Sequence, residues 1–595
     1  MIKDILKAKD LVFSRRAFIV LSFKISVAIT LVVRLFFLQV SKFSEFHTLS
    51  DKNRIKFLLL EPLRGVIKDR NGVSLAKNKN NYKLYFYKQR RFSYEEEVQL
   101  ISSLLGLSQE QQSGIIQQVQ KSNYVYPTLI KDDLMWDQVA LIEGNKHRLP
   151  CTYIDKGYTR FYPFKEMFAQ VVGYMGVPRS DEVTQYSLHN IPSFKIGKTG
   201  IERVANTKLI GTFGSKKVEV NAFRVIVREF ATNKSTKGED VTLTFDSRLQ
   251  QYIYDLLPKD GASAVLADVD SGEVLSMVST PSFDANIFST KTMNRDIWDK
   301  IIKNKSYPFT NRCVGKVYPP GSTWKIIVAL AVLAHGVSPT ETVYCNGKFK
   351  LGNRVYKCWK HSGHGNVNVS SAIMMSCNVY FYEMSLRVGI SAIHKIAAEL
   401  GFGDVVCVDI PGEVRGLNPN KEWKKNTLND EWVLGDTANS SIGQGYTLAT
   451  PIQILTMISR VVTGKKFAPK ILFENVNGGA QEAIHIQQQH LEIVKNAMAS
   501  SFNNPHGLGY NFRIVDKNYS IAGKSGTSQI VSRDTSLLGN DHKGVKSHAV
   551  FVGYAPVYKP KYSIVVTVDN AGWGSKNAAP IAREILYYTQ KYLKT

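Results

Sequence analysis

The stretch Tyr318-Pro319-Pro320-Gly321-Ser322-Thr323-Trp324-Lys325 runs straight into Ile326–Ala334, an apolar run closed by Gly336. A helix that is apolar nearly all round is buried in a domain core. The pattern therefore predicts a core helix with Ser322 at its N-terminus, where unpaired backbone N–H groups and the helix dipole favour developing negative charge. Lys325 lies three residues on and shares that face. A serine needs a neighbouring base to become nucleophilic, and a lysine partly stripped of water can lose its proton and serve as one. Ser-x-x-Lys alone arises by chance in any long chain. The Pro-Pro-Gly approach and the buried helix set this copy apart.

Working outward, Ala264–Val269 and Glu273–Val278 flank Asp270-Ser271-Gly272 and read as a hairpin of two apolar strands. His548–Ala555 and Tyr562–Val568 read as a second hairpin, followed by a terminal helix from Ala578 to Tyr592. Helical segments lie between the hairpins, so strands from both ends can share one sheet with helices around it. That is an α+β domain over 241–595. Within it, Ser376-Cys377-Asn378 separates an apolar helix ending near Met375 from another over Val379–Val388. A hydroxyl and a carboxamide in such a turn can face one pocket, although an isolated Ser-x-Asn is more often a helix boundary that satisfies its own backbone. Gly523-Lys524-Ser525-Gly526-Thr527 lies in Tyr519–Val531, which reads as a strand. An ammonium at Lys524 can hold a substrate carboxylate, and Gly526 lets a substrate backbone lie close against the strand edge. Gly-Lys-Ser also ends a phosphate-binding loop, but that motif needs glycine at 518, where the chain has Asn518.

The 595 residues correspond to about four domains at ~150 residues each. A hydrophobic share of 44% with 21% charged residues excludes wholesale disorder. Lys+Arg of 76 against Asp+Glu of 50 leaves a net charge of +26, which admits nucleic acid, an anionic membrane surface or an acidic polymer as partner. The N-terminus narrows this choice. Ala17–Val40 carries only Lys24 and Arg34, near its ends where long side chains can snorkel, and is long enough to span a bilayer. Lys3, Lys7, Lys9, Arg15 and Arg16 precede it, against Lys42 and Lys52 just after, which puts a tail of residues 1–16 in the cytoplasm. No small-residue cleavage site interrupts Arg34-Leu35-Phe36-Phe37-Leu38, so the span at 17–40 reads as a retained anchor rather than a cleaved signal.

Residues 41–240 then lie outside and read as a strand-rich pedestal, with Asp69-Arg70-Asn71-Gly72 as a turn. In Lys77–Arg91, basic residues interleave with Tyr82, Tyr85, Phe86 and Tyr87, as on a nucleic-acid stacking surface. The other reading, preferred for an exported segment, is a strand with Tyr82, Leu84 and Phe86 on one face and Lys83, Tyr85 and Tyr87 on the other. Tyr94–Leu107 and Trp136–Lys146 read as short helices of a small inserted head lobe.

The ordered set Ser322/Lys325, Ser376/Asn378 and Lys524/Ser525/Gly526 resembles the three motifs of the penicillin-recognising serine acyltransferases, with Ser525 in place of the usual threonine. Arg64-Gly65-Val66-Ile67-Lys68-Asp69-Arg70-Asn71-Gly72, Gly197-Lys198-Thr199-Gly200-Ile201-Glu202, Val218-Glu219-Val220 and Ser441-Ile442-Gly443-Gln444-Gly445 are similar to signatures of the class B penicillin-binding proteins, on the penicillin-binding protein 2 branch of cell elongation. The resemblance runs from the membrane span to the terminal helix. It implies a D,D-transpeptidase in the bacterial inner membrane, with its catalytic domain in the periplasm and a pedestal of the dimerisation type. Ser322 would attack the D-Ala-D-Ala carbonyl of a peptidoglycan stem peptide, with Lys325 as base and Ser376 as proton relay. Asn378 would bind the peptide, and Lys524, Ser525 and Thr527 would hold the terminal carboxylate. Backbone N–H groups of Ser322 and Thr527 would form the oxyanion hole, and β-lactams would arrest the acyl-enzyme. Catalysis needs no cofactor. Glycan synthesis would fall to a partner, the elongation polymerase RodA with associated shape proteins, and nucleic acid drops out. A division-type transpeptidase, a D,D-carboxypeptidase or β-lactamase, and a non-catalytic β-lactam sensor or scaffold are the alternatives this framework hosts.

Six cysteines stand at 151, 313, 345, 358, 377 and 407. Cys345, Cys358, His364 and Cys377 could supply three thiolates and one imidazole to a tetrahedral structural zinc, although the spacing lacks tight Cys-x-x-Cys pairs. For an exported protein the competing reading is a Cys345–Cys358 disulfide that leaves Cys377 a buried thiol. The resemblance implies that some relatives carry metal here, bracing the active-site loop from behind without entering the chemistry.

Overall fold

In the computed structural model, residues 2–44, 54–88, 93–122, 127–179, 181–182, 194–220, 226–289, 295–476, 481–516, 518–528 and 547–593 are described. Lys52, the end of the Lys77–Arg91 run and the last part of the strand expected at Tyr519–Val531 lie outside them. A helix over Ile2–Phe36 continues as one π-helical turn, Phe37–Ser41, and Arg15–Ser41 is long and apolar enough to cross a membrane. Its apolar window is wholly exposed, which is the expected state of a surface made for lipid.

Beyond the anchor, Ile55–Leu60, Gly214–Val220 and Ile226–Asn233 form a three-stranded antiparallel sheet. A second sheet is built on the long strand Ser74–Phe86, which pairs with Thr128–Leu134 and Thr152–Phe161. Period two decides its faces: Leu84 and Phe86 are fully buried in the lobe's core, while Tyr85 and Tyr87 both stack on Tyr153. The basic and aromatic run is therefore a strand within a packed sheet. Helices Tyr94–Leu105 and Trp136–Gly144 cover it where the sequence places them. A third, Gln109–Lys121, lies between them and has no counterpart in the sequence reading, since its apolar stripe is only Ile115, Ile116 and Val119 among glutamines. Ser108 and Gln111 start it with a capping box.

The pedestal's root is held by charge. Glu202, fully buried on the short helix Gly200–Val204, accepts from Arg64 Nε at 2.7 Å and Arg160 Nε at 2.6 Å. Arg64 also reaches Asn206 Oδ1 at 3.0 Å, so one carboxylate ties together the segment following the first strand, the lobe's sheet and the Gly197–Glu202 signature. Val241–Thr242 pairs in parallel with Ile67–Lys68, joining the pedestal sheet directly to the next unit.

That unit is organised on a five-stranded antiparallel sheet in the order Val274–Thr280, Ala262–Asp268, Tyr562–Val568, His548–Ala555, Ala522–Ser528. Both predicted hairpins are present and share this sheet, through pairing of Ala262–Asp268 with Tyr562–Val568. Side chains alternate between two cores. Val265, Ala267, Val550, Val552 and Val565 pack with helices Lys325–Ala334 and Pro451–Thr463; Ala264, Leu266, Phe551, Ile564 and Val566 pack with Ser247–Leu256 and Ala579–Tyr592. Every residue of the two central strands is buried, which explains their continuous apolar sequences. Ala522–Ser528 forms one edge and starts three residues later than the strand expected. The helix expected over Val379–Val388 runs on as Asn378–Glu399, broken at Gly389 with φ 77°.

Candidate active site

Ser322 sits in a single 3₁₀ turn, Gly321–Trp324, that feeds the helix Lys325–Ala334. Backbone contacts fix the turn from two sides. Gly321 has φ 55°, donates from N to Gly443 O at 3.0 Å, and would drive a Cβ to 2.7 Å from Thr527 O. A Cβ at Gly526 would lie 2.7 Å from Pro320 O. Only glycine lets the nucleophile turn and the edge strand touch main chain to main chain.

Ser376 terminates helix Val369–Met374 in the left-handed region, φ 55°, with Cys377 N bonded back to Ala372 O at 2.9 Å. Helices often end this way, usually on glycine. Here the serine keeps a hydroxyl between two cations: Lys524 Nζ donates to Ser376 Oγ at 2.8 Å, and Lys325 Nζ lies 3.3 Å from the same oxygen. Lys325 Nζ also reaches Asn378 Oδ1 at 2.7 Å and Ser376 O at 2.9 Å. Thus Ser376, Asn378, Lys325 and Lys524, from three separate stretches, form one hydrogen-bonded group. Both lysines are completely buried. Burial pushes Lys325 down to about 8, against the opposing pull of the Cys377 and Cys358 thiols. Burial and the neighbouring Lys325 cation hold Lys524 well below the usual lysine range.

Ser322, Ser376, Asn378, Ser525 and Thr527 line an open cleft of about 730 Å³. No hydrogen bond among the described residues engages Ser322 Oγ; Ser322 lines the cleft while Lys325 lies buried behind it. Lys524, expected with Ser525 and Thr527 to hold a carboxylate, directs its Nζ to Ser376 Oγ and to the Ser525 carbonyl, 3.1 Å away. On this strand the residues that line the cleft are Ser525 and Thr527. Thr527 is steadied by Gly574, whose N donates to Thr527 Oγ1 at 3.2 Å.

Sequence reasoning passed over Trp359, Gln444 and the Trp573–Lys576 segment, which also line the cleft. Gln444 lies inside a quoted signature, and Trp359 follows a candidate ligand. The loop after Val568 carried no local signal, because only the fold brings it there. It starts at Asp569, which accepts from Arg312 Nε at 3.0 Å and Lys316 Nζ at 2.7 Å and so ties the loop to the approach to Ser322.

The family description "Penicillin binding protein transpeptidase domain" matches residues 262–587, and "Penicillin-binding Protein dimerisation domain" matches 59–243. The chain is 30% identical to the peptidoglycan D,D-transpeptidase MrdA of Haemophilus influenzae, over 98% of this chain and 92% of the relative. The chain belongs to the penicillin-binding protein 2 family. Its fold matches penicillin-binding protein 2 in complex with MreC from Helicobacter pylori with a TM-score of 0.81 and 27% identity, over 90% of this chain and 99% of that one. It also matches, with a TM-score of 0.68 and 25% identity over 97% of this chain and 98% of the other, a structure described as structural coordination of polymerization and crosslinking by a peptidoglycan synthase complex.

In this penicillin-binding protein 2 fold the Cys/His set converges behind Ser376. Sγ of Cys345, Cys358 and Cys377 and a ring nitrogen of His364 all lie within 4.8 Å of one another. His364 Nδ1 is 3.6 Å from Cys345 Sγ and 3.5 Å from Cys358 Sγ. Zinc with bonds of ~2.3 Å to sulfur and ~2.0 Å to nitrogen needs donors about 3.5–3.8 Å apart, so the residues fit a closed tetrahedral site. All six cysteines are free thiols, and no disulfide joins Cys345 to Cys358. A hydrogen bond shared by the two thiols holds Cys358 low and pushes Cys377 up. His361 stands apart, on the cleft.

Proposed function

We propose that Ser322 is the acylated nucleophile of a peptidoglycan D,D-transpeptidase acting in cell elongation. The observation that carries this reading is a fully buried lysine, poised to be neutral, one turn behind a serine that faces an open cleft. Neutral Lys325 takes the Ser322 proton as Oγ adds to the D-Ala-D-Ala carbonyl. The oxyanion lies against the N–H groups of Ser322 and Thr527, each such donor being worth about 3 kcal/mol. Ser376, bridged to both lysines, passes the proton to the departing D-alanine nitrogen. Asn378 and the edge strand align the peptide, and Ser525 and Thr527 hold its terminal carboxylate under the field of Lys524. An amine of a neighbouring stem then attacks the acyl-enzyme, returning its proton through Ser376 and Lys325 and completing the cross-link. A β-lactam follows the first half and stays as the ester.

The surroundings extend the proposal. Residues 1–16 form a cytoplasmic tail, 17–40 the inner-membrane anchor, 41–240 the pedestal and 241–595 a periplasmic transpeptidase domain. RodA and a shape protein of the MreC kind are the assembly partners, consistent with the complexes whose folds this chain matches. Zinc on Cys345, Cys358, His364 and Cys377 would brace the Ser376 turn and supply no chemistry to the reaction. Mass spectrometry of the full-length protein treated with a β-lactam tests the central step. An adduct on the tryptic peptide carrying Ser322, absent in Ser322→Ala, is the expected result, and an unlabelled Ser322 would overturn the assignment.

A further inference from the structure

Three consecutive residues beside the cleft hold the Ser376 turn from outside. Lys357 O accepts from Asn378 Nδ2 at 3.2 Å, and Cys358 Sγ accepts from Asn378 N at 3.4 Å. Trp359 Nε1 donates to both Met375 O and Ser376 O at 3.1 Å. The Ser376 carbonyl is the same oxygen that Lys325 Nζ takes from inside at 2.9 Å. One carbonyl is thus shared by a buried lysine and an indole whose side chain is 38% exposed and lines the cleft. The indole is itself located by an edge contact with His364, ring centres 5.4 Å apart.

We infer that Trp359 is a positioning residue for transpeptidation: its indole N–H fixes the plane of the Ser376 peptide, and with it the Ser376 hydroxyl and the Lys325 amine. A left-handed serine is strained and persists only where its surroundings over-determine it. The helix end determines Ser376 from one side and the 357–359 strap from the other. Asn378 and Cys358 bond to each other directly, so the strap holds the turn without Trp359. What the indole adds is orientation of the one carbonyl that faces Lys325. Removing the N–H while keeping the ring leaves the cleft wall in place and lets that peptide plane rotate, taking the proton relay out of line.

The inference rests on the Ser322 acyl-enzyme reading, and the experiment separates the two. Full-length protein in detergent is reacted with a fluorescent penicillin under stopped flow, giving the dissociation constant of the first complex and the rate constant of acylation. Trp359→Phe is expected to acylate roughly 10-fold more slowly with a dissociation constant within about 2-fold of the parent, since small misplacements of reacting groups act on rate more than on binding. Trp359→His, which restores an aromatic N–H donor, is expected to recover most of the rate. Metal content and melting temperature are read on each variant, and both should stay at the parent's values. A Phe variant at the parental rate, a Phe variant altered only in its dissociation constant, or a His variant no faster than Phe would each overturn the inference. A parent protein unlabelled at Ser322 would instead overturn the underlying function.

Discussion

The molecule buries two clusters of positive charge and treats them in opposite ways. In the pedestal, Arg64 and Arg160 close on Glu202; burial alone would raise that carboxyl, but the two guanidiniums overcome it and hold it below the usual range. In the catalytic domain, Lys325 and Lys524 are as deeply buried and face each other across Ser376, with no carboxylate among the described residues bonded to either. Guanidiniums keep their protons at any physiological pH and match a carboxylate with a rigid fork, so the first cluster is a permanent fixture. An ammonium buried without a counter-ion holds its proton less tightly, which is the property the proposed base Lys325 needs. Pairing, rather than depth, decides whether a buried cation holds structure together or does chemistry.

The comparison breaks most sharply at Lys325. Lys325→Arg keeps a cation of similar reach that cannot deprotonate, and acylation is expected to fall by roughly 10²–10⁴-fold, the span of a lost general base. The parent's own pH profile sharpens the point. With the lysine at about 8, the acylation rate should drop tenfold per pH unit below that value and level off above it. Because the folded state holds this proton more weakly than the unfolded chain, the cost of burying Lys325 is also relieved as pH rises through 8. A stopped-flow profile that is flat from pH 6 to 9 would remove Lys325 from the role of base.

Glu202 is the matching lesion on the other side. Glu202→Gln leaves two buried guanidiniums on a neutral acceptor, and breaking a buried pair in this way costs about 3–5 kcal/mol. Thermal melts of the pedestal should record it, while Ser322 in the molecules that remain folded is labelled at close to the parental rate. The sign of the pH dependence reverses here. A carboxyl held low contributes stability that is complete above its unfolded value near ~4.3 and is lost as pH falls through the folded one. An undiminished melting temperature in Glu202→Gln would mean that the arginines find other partners.

The two clusters were also unequally legible in the sequence. Ser322 and Lys325 stand out because a buried apolar helix with a Pro-Pro-Gly approach carries them, whereas the Ser376–Asn378 turn, an ordinary helix boundary by itself, is picked out by the family resemblance. The two hairpins were equally plain, since strands buried on both faces spell unbroken apolar runs. The inward turn of Lys524 was not, because a lysine in a strand reads the same whether it points to a cleft or to a hydroxyl 148 residues away. Glu202 appeared only as the last letter of a signature; its partners are 138 and 42 residues distant, and nothing local pairs them. Helix Gln109–Lys121 was silent for a third reason, its stability coming from caps and from the lobe it covers rather than from its own apolar stripe.

The smallest expected effect tests whether the pedestal needs arginine or merely charge. Arg64 makes three distinct bonds: Nε to Glu202 Oε2 at 2.7 Å, Nη1 to Asn206 Oδ1 at 3.0 Å and Nη2 to Glu202 O at 3.0 Å. These acceptors lie on two short helices, and the planar fork of a guanidinium reaches all three where a single ammonium does not. Arg64→Lys keeps the charge that satisfies Glu202 while giving up the fork, so the loss should be about 2 kcal/mol, the worth of one or two hydrogen bonds to charged groups. A denaturant melt would read it as a lower midpoint at unchanged slope. If Arg64→Lys proved as damaging as Glu202→Gln, geometry rather than charge balance would be what the pedestal conserves in that cluster, and its contrast with the catalytic lysines would rest on the shape of the guanidinium instead of on the presence of a counter-ion.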